Sequence, residues 1–154
     1  MSRCKRGSNG KGTQMKTTLR SICMTAILLT AVPAFADDTL FADMGGQEGI
    51  DKIVDASVDN YLADDRIKAI FDESNIDRLR AEFKVQFCQV ADGPCDYKGH
   101  DMTAAHKGLH LTNADFNAVV EDLQDAMTKV GLPFTTQNRF LARLAPMQHQ
   151  VVSK

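Results

Sequence analysis

Histidines are the side chains of this sequence best suited to bind a metal. The four are His100, His106, His110 and His149. His106 and His110 are four residues apart, but no carboxylate stands beside them at zinc-site spacing, and Gly108 weakens the helical turn that would align them. Met102 lies one turn before His106 and Leu109 one turn after it, so the His106 ring emerges from an apolar helical face. That ring is either a core histidine or a ligand inside an apolar pocket.

Cysteines form the second reactive set. Of the four cysteines, Cys4 and Cys23 lie before residue 36, and Cys88 and Cys95 follow it. The Asp92-Gly93-Pro94 turn between them can bring their Cβ atoms together, which favours a disulfide and fits an oxidising compartment. Two free thiols are the alternative. A metal site on this pair is disfavoured because tetrahedral coordination needs two more ligands at suitable spacing.

The elements that must position these side chains are helical. After residue 36 the sequence has no sustained alternation of period two, and apolar residues recur at steps of three and four. Four stripes result: Ile50, Ile53, Val54, Val58, Tyr61 and Leu62; Ile76, Leu79, Phe83, Phe87 and Val90; Phe116, Val119, Val120, Leu123, Met127 and Val130; Phe140, Leu141, Leu144 and Met147. This pattern predicts an all-α domain over residues 37–154.

Capping residues set the predicted helix ends. Gly45-Gly46 precedes the first helix, and Ser74 or Asn75 caps the second before Gly93-Pro94 stops it. Thr112 with Asp115 forms a capping box for the third, which Gly131 and Pro133 close. The fourth is predicted to run from about Phe134 to Val151, and a short helix is predicted within Met102 to Leu109.

The first 36 residues have the character of a targeting segment. Lys16 and Arg20 precede an apolar run over residues 22–31, and Ala34-Phe35-Ala36 supplies a small-residue cleavage pattern. We therefore predict a signal peptide over residues 1–36 and an exported, periplasmic protein. Met15 is an alternative start, which would make residues 1–14 an upstream extension. The alternative of a retained anchor is disfavoured because the apolar run is too short to span a bilayer.

Charge separates this front end from the rest of the chain. Residues 1–36 carry six of the 18 basic side chains and no acid, so after them twelve basic side chains oppose twenty acidic ones, for a net charge of −8. Basic residues there are scattered singly, which argues against a nucleic-acid partner. We also expect no stable membrane anchor. The expected state is a monomer or a weak homo-oligomer.

The segment Asp101-Met102-Thr103-Ala104-Ala105-His106-Lys107-Gly108-Leu109 resembles the proximal-histidine segment of the group 1 truncated haemoglobins. Further landmarks resemble that family in the same order and at compatible spacings: Met44-Gly45-Gly46, Leu62-Ala63-Asp64-Asp65-Arg66, Gly93-Pro94 through Tyr97-Lys98-Gly99, and Leu144-Ala145-Pro146. The resemblance covers about Leu40 to Val152. It implies a two-over-two helical sandwich that holds haem b, with His106 as the iron ligand.

The resemblance also implies the remaining haem contacts. The ligand side of the haem would be lined by Val58, Phe71, Leu79, Phe83 and Phe87. Met102, Phe116 and Val119 would pack on the porphyrin, and Arg78 and Tyr97 would meet the propionates. Lys98 is close enough in the sequence to join Arg78 and Tyr97. The alternative for Met102, Phe116 and Val119 is an ordinary core position. The alternative for Arg78, Tyr97 and Lys98 is a solvated surface position.

Three positions depart from the family pattern. Val58 stands where the family commonly has tyrosine, and Phe83 where it often has glutamine; Ser57 also replaces a frequent phenylalanine. The usual hydrogen-bond donors to a dioxygen ligand are therefore missing. Tyr61 and Gln86 lie on nearly the same helical faces and are candidate replacements, with an ordinary core phenol and an edge amide as the alternatives.

Three functions follow from this sequence. The first is reversible binding of oxygen, nitric oxide or carbon monoxide at haem iron. The second is a haem-dependent redox enzyme that detoxifies nitric oxide or peroxide; an apolar ligand side offers peroxide cleavage no acid or base, so it ranks lower. The third is a haem-free helical interaction module. Retention of His106 and of the apolar lining argues against the third.

Overall fold

A computed structural model describes residues 39–153 of the chain; the predicted signal peptide and its cleavage motif lie outside these residues. Within this range the helices are α1 Leu40–Asp43, α2 Gly46–Ala63, α3 Ile76–Val90, α4 Met102–Ala105, α5 Asn113–Lys129, α6 Phe134–Leu144 and α7 Gln148–Val151, with 3-10 turns at Lys68–Phe71 and Ala145–Met147. No strand occurs in the described part of the chain. The all-α prediction is confirmed.

Helix starts follow the capping residues. The Asn75 side chain accepts a hydrogen bond from the Arg78 amide and caps α3, so Asn75 rather than Ser74 begins that helix. Thr112 and Asp115 form a reciprocal capping box at α5, each side chain bonding to the other's backbone amide. These bonds satisfy amides that have no partner inside their own helix.

Two predicted helical segments contain less regular helix than their full length. α4 ends at Ala105, inside the segment predicted for a short helix, and Gly108 and His110 beyond it adopt positive φ angles of 85° and 54° that a helix cannot contain. The predicted fourth helix is divided into α6 and α7 by a 3-10 turn at Ala145–Met147, which contains Pro146. Proline has no amide hydrogen for a regular helical bond, which accounts for the interruption.

The long helices form the predicted two-over-two arrangement. α2 packs against α3 and α5, and α6 packs against both α5 and α3. Ile53, Val54 and Phe140 are completely buried where these helices meet. Leu62, the last residue of the first predicted stripe, is 38% exposed and lies outside this core. Gly49 is required at the α1–α2 junction, because a Cβ there would overlap the Met44 carbonyl oxygen.

Two further contacts tie the segments around α4. The Cys88 and Cys95 sulfurs are in contact, with Cα atoms 5.9 Å apart, and so connect the end of α3 to the loop that leads into α4. α7 packs against α4, and the Ser153 amide donates to the Leu111 carbonyl oxygen at 3.0 Å. Among the described residues, no helix is long and apolar enough to cross a membrane.

Candidate functional site

His106 is held by the backbone of its own short helix. The Asp101 side chain caps α4 by accepting from the Ala104 amide at 2.8 Å, and His106 is the residue directly after the helix. Its ring atom Nδ1 lies 2.7 Å from the Met102 carbonyl oxygen. A carbonyl only accepts, so Nδ1 carries the proton and Nε2 of the neutral ring keeps its lone pair for a metal.

Apolar side chains around α4 remain partly exposed, unlike the core. They are Leu79, Phe83, Met102, Phe116 and Val119, contributed by α3, α4 and α5. Core residues such as Val58 and Phe140 have no exposed surface. A flat, apolar, metal-bearing ring requires apolar walls and a neutral imidazole, and the chemistry of these side chains fits that requirement. Their contact with a haem stays a prediction.

Gln86 of α3 contacts Met102 of α4, the helix that precedes His106. Its side-chain Nε2 lies 3.5 Å from the Met102 sulfur, which joins α3 to α4. Leu79 and Phe83 precede Gln86 by seven and three positions and therefore lie on the same face of α3. This face of α3 is the wall that approaches the turn bearing His106.

The other three predicted ligand-side residues contact the core or its aromatic rings. Val58 is completely buried in the core, and Phe87, which is 6% exposed, meets Phe140 edge to face at a centroid distance of 4.9 Å. Phe71 is partly buried and stacks on Tyr61 with ring centroids 5.8 Å apart. The structure therefore anchors these residues through other aromatic rings and core helices.

A buried polar cluster, which the sequence analysis missed, lies behind Tyr61. The Tyr61 hydroxyl bonds to Ser57, and Ser57 Oγ donates to the Ile53 carbonyl oxygen at 2.7 Å. Burial raises the pKa of Tyr61 above its ordinary value. Asp122 of α5 lies close enough to act on Tyr61 electrostatically, and its buried Oδ2 has no hydrogen-bond partner. Tyr61 is therefore a core phenol that faces Ser57 and Asp122.

Substituting Asp122 with Asn tests this cluster. Burial raises the pKa of the Asp122 carboxyl, and nearby Asp64 raises it further. Between the ordinary pKa and the raised one, the folded state holds a proton that the unfolded state has lost, so stability falls as the pH rises through this window. We expect Asp122→Asn to increase the free energy of unfolding at pH 7 by about 1–2 kcal/mol.

Urea denaturation at several pH values, followed by circular dichroism, measures this effect. The two proteins should converge near pH 3, where the wild-type carboxyl is protonated in both states. Asp125→Asn is the matched control on the same helix, at an exposed position, and should change little. An Asp122→Asn variant less stable than the wild type at pH 7 would contradict the view that the buried Asp122 carboxylate destabilises the fold.

The predicted propionate contacts surround one open cavity. Arg78, Tyr97 and Lys98 line a space of about 480 Å³ between α3 and the loop at residues 96–100. Arg78 pairs with Glu82 at 2.7 Å, Lys98 pairs with Asp96 at 2.6 Å, and the Tyr97 hydroxyl donates to the His100 carbonyl oxygen at 3.1 Å. Both cations thus already have a carboxylate partner in this structure. Their contact with haem propionates stays a prediction.

Metal binding by side chains alone is not supported within residues 39–153. No group of three or more His, Cys, Asp or Glu side chains is placed there to hold an ion. His106 and His110 in particular are separated by the non-helical residues 107–109. The porphyrin would supply the other ligands that an iron at His106 requires.

Comparison with known proteins identifies the family to which this fold belongs. The model of the bacterial-like globin family matches residues 39–153. A group 1 truncated haemoglobin from Tetrahymena thermophila is 33% identical over 94 residues, which cover 61% of this chain and 78% of the relative. One from Synechocystis is 35% identical over 99 residues, or 62% of this chain and 80% of the relative.

A solved structure supports the same family and fold. Truncated haemoglobin from Tetrahymena pyriformis, in its Fe(III) form, superposes with a TM-score of 0.73 at 27% identity, covering 75% of this chain and 99% of that chain. The two-over-two prediction is confirmed by this likeness. The chain therefore belongs to the bacterial-like globin family, and within it to the group 1 truncated haemoglobins.

Proposed function

We propose that this globin holds iron haem through Nε2 of His106 and binds a diatomic gas reversibly. Membership of the family supports both the cofactor and the gas. The observation that carries the proposal is the Nδ1 contact of His106 with the Met102 carbonyl at 2.7 Å, because it fixes the ring in the form that can bind a metal. Haem, when bound, supplies a coordination position open to a small ligand.

An optical spectrum tests this function. The purified protein, expressed with ample haem, should show a Soret band that shifts on reduction and again on addition of carbon monoxide. Return of the original reduced spectrum after the gas is removed would demonstrate reversible binding. Protein that stays colourless with ample hemin would overturn the proposal.

A haem-dependent redox enzyme is the second function considered. Peroxide cleavage needs an acid or base next to the ligand, and the predicted ligand-side residues are all apolar: Val58, Phe71, Leu79, Phe83 and Phe87. The gas-binding function therefore has the stronger support. Turnover of peroxide or nitric oxide well above that of free haem would reverse this order.

We also propose that the globin acts in the cell envelope. The signal-like segment at residues 1–36 and the contact between Cys88 and Cys95 both support export to an oxidising compartment. Amino-terminal sequencing of the protein recovered from the periplasm should begin at Asp37. A recovered protein that still contains Met15 would contradict cleavage at Ala36.

A further inference from the structure

We infer that Asp101 is a positioning residue for the axial imidazole: its side chain caps α4 and so holds the Met102 carbonyl where it accepts the Nδ1 proton of His106. The inference rests on the proposed function, in which Nε2 of His106 binds iron. The Asp101 carboxylate is hydrogen-bonded to the Ala104 amide, so its effect on the ring passes through the short helix between them.

α4 is a single helical turn with little support from packing. It contains only the four residues Met102–Ala105. A first turn fixes several backbone angles in return for few hydrogen bonds, so a helix this short does not persist on its own. α7 packs against this turn, yet within residues 101–106 only the side chains of Met102 and His106 are partly buried, and the others are exposed. Hydrogen bonds inside the turn therefore matter greatly to its order.

Asp101 supplies two of those bonds. Its side-chain Oδ1 accepts from the Ala104 amide at 2.8 Å, and its backbone carbonyl accepts from the Ala105 amide at 2.9 Å. Its φ and ψ angles of −64° and 164° are extended, as an N-cap residue requires. The Ala104 amide is one of those that no carbonyl inside the helix can reach. The carboxylate is thus the group that satisfies it.

The cap acts on His106 through the Met102 carbonyl. This carbonyl belongs to the residue directly after the cap, and it accepts from the His106 amide at 3.2 Å and from the ring atom Nδ1 at 2.7 Å. The shared acceptor couples the orientation of the ring to the helical geometry of residues 102–106. An imidazole whose N–H is bonded to an acceptor keeps one orientation and is a stronger metal ligand through its other nitrogen. A frayed turn would therefore weaken the ligand.

The contact that α3 makes with α4 is weaker than this cap. Gln86 Nε2 lies 3.5 Å from the Met102 sulfur, and a thioether is a weak acceptor. This contact also holds the Met102 side chain rather than the carbonyl that bonds to His106. Asp101 is therefore the residue whose substitution can loosen α4 while α3 keeps its packing.

Substitution of Asp101 separates the cap from the charge. Asp101→Ala removes both, whereas Asp101→Asn and Asp101→Ser remove the charge but keep an oxygen that can cap the helix. Thr103→Ala is the matched control, because Thr103 is an exposed residue of the same turn. Each protein is studied with haem bound. A Soret band and an unchanged far-ultraviolet circular dichroism spectrum show that it is loaded and folded.

Three measurements follow the effect from the cap to the iron. In Asp101→Ala, the amides of Ala104, Ala105 and His106 should exchange hydrogen about 3- to 10-fold faster, as loss of a helix cap implies. The iron–imidazole stretching band in the Raman spectrum of the ferrous protein should move to lower frequency, because the ring is a weaker ligand. Haem transfer to apomyoglobin should become faster by about the same factor. The other three variants should resemble the wild type in all these measurements.

Two results would overturn the inference. One is an iron–imidazole band that stays unchanged in Asp101→Ala, whether or not its amides exchange faster, because the cap would then have no effect on the ring. The other is an Asp101→Asn protein that behaves like Asp101→Ala, which would assign the effect to charge. A change in global stability alone does not shift this band, so a merely structural role is recognised. Wild-type protein without a Soret band would instead refute the proposed function.

Discussion

Replacement of His106 by glycine is expected to lower haem affinity by more than about 100-fold. Loss of an outer partner of a metal ligand alone costs about 10- to 100-fold, and this change removes the ligand itself. The hydrogen bond to the Met102 carbonyl, which orients the ring, disappears with it. Haem transfer to an excess of apomyoglobin, followed at the Soret band, measures the change as a faster release.

Free imidazole provides the control for folding. Added to His106→Gly, it should occupy the space of the missing side chain and restore the spectrum of a histidine-bound haem. His110→Ala is a second control, because His110 is exposed and follows the non-helical turn at Gly108. A wild-type spectrum in His106→Gly without imidazole would show that another residue binds the iron.

Loss of the Cys88–Cys95 connection is expected to cost about 2–3 kcal/mol of unfolding free energy. A bond across seven positions restricts the unfolded chain, and the chain-entropy model gives this magnitude for so short a loop. Cys88 is completely buried, so serine at this position also loses apolar packing. Urea denaturation of Cys88→Ser/Cys95→Ser against the oxidised wild type measures the difference.

Cys95→Ser alone separates the bond from the packing, because Cys95 is only partly buried. Most of the loss should already occur in this single variant, and a dithiol reductant should bring the wild type to the same stability. Peptide mapping without reduction should recover residues 88 and 95 in one linked peptide. Two separately alkylated cysteines would show that the thiols are free in solution.

Helix positions could be predicted from the sequence where a local signal defined both ends. α3 and α5 begin after Asn75 and Thr112, whose side chains cap only the few residues that follow them. The sequence predicted the place of α4 but not its last residue, because the apolar spacing from Met102 to Leu109 continues past the positive φ of Gly108. Periodicity alone does not report where the backbone leaves the helical region.

The site was predictable only in part. The role of His106 came from its resemblance to a known segment, but the carbonyl that orients its ring required coordinates. Asp122 was not foreseen, because it acts on Tyr61 from a helix 61 positions further along the chain. Polar contacts between distant helices produce no periodic pattern in a sequence. The contact partners of Tyr61 and Gln86 could therefore not be predicted from it.

The contact of α7 with α4 has a practical consequence for protein engineering. Because the Ser153 amide donates to the Leu111 carbonyl, a fusion partner or affinity tag joined directly after Ser153 would disturb the segment that follows His106. Deleting α7 would leave the turn that bears His106 without the helix that packs against it, although every residue predicted to contact the porphyrin would still be encoded.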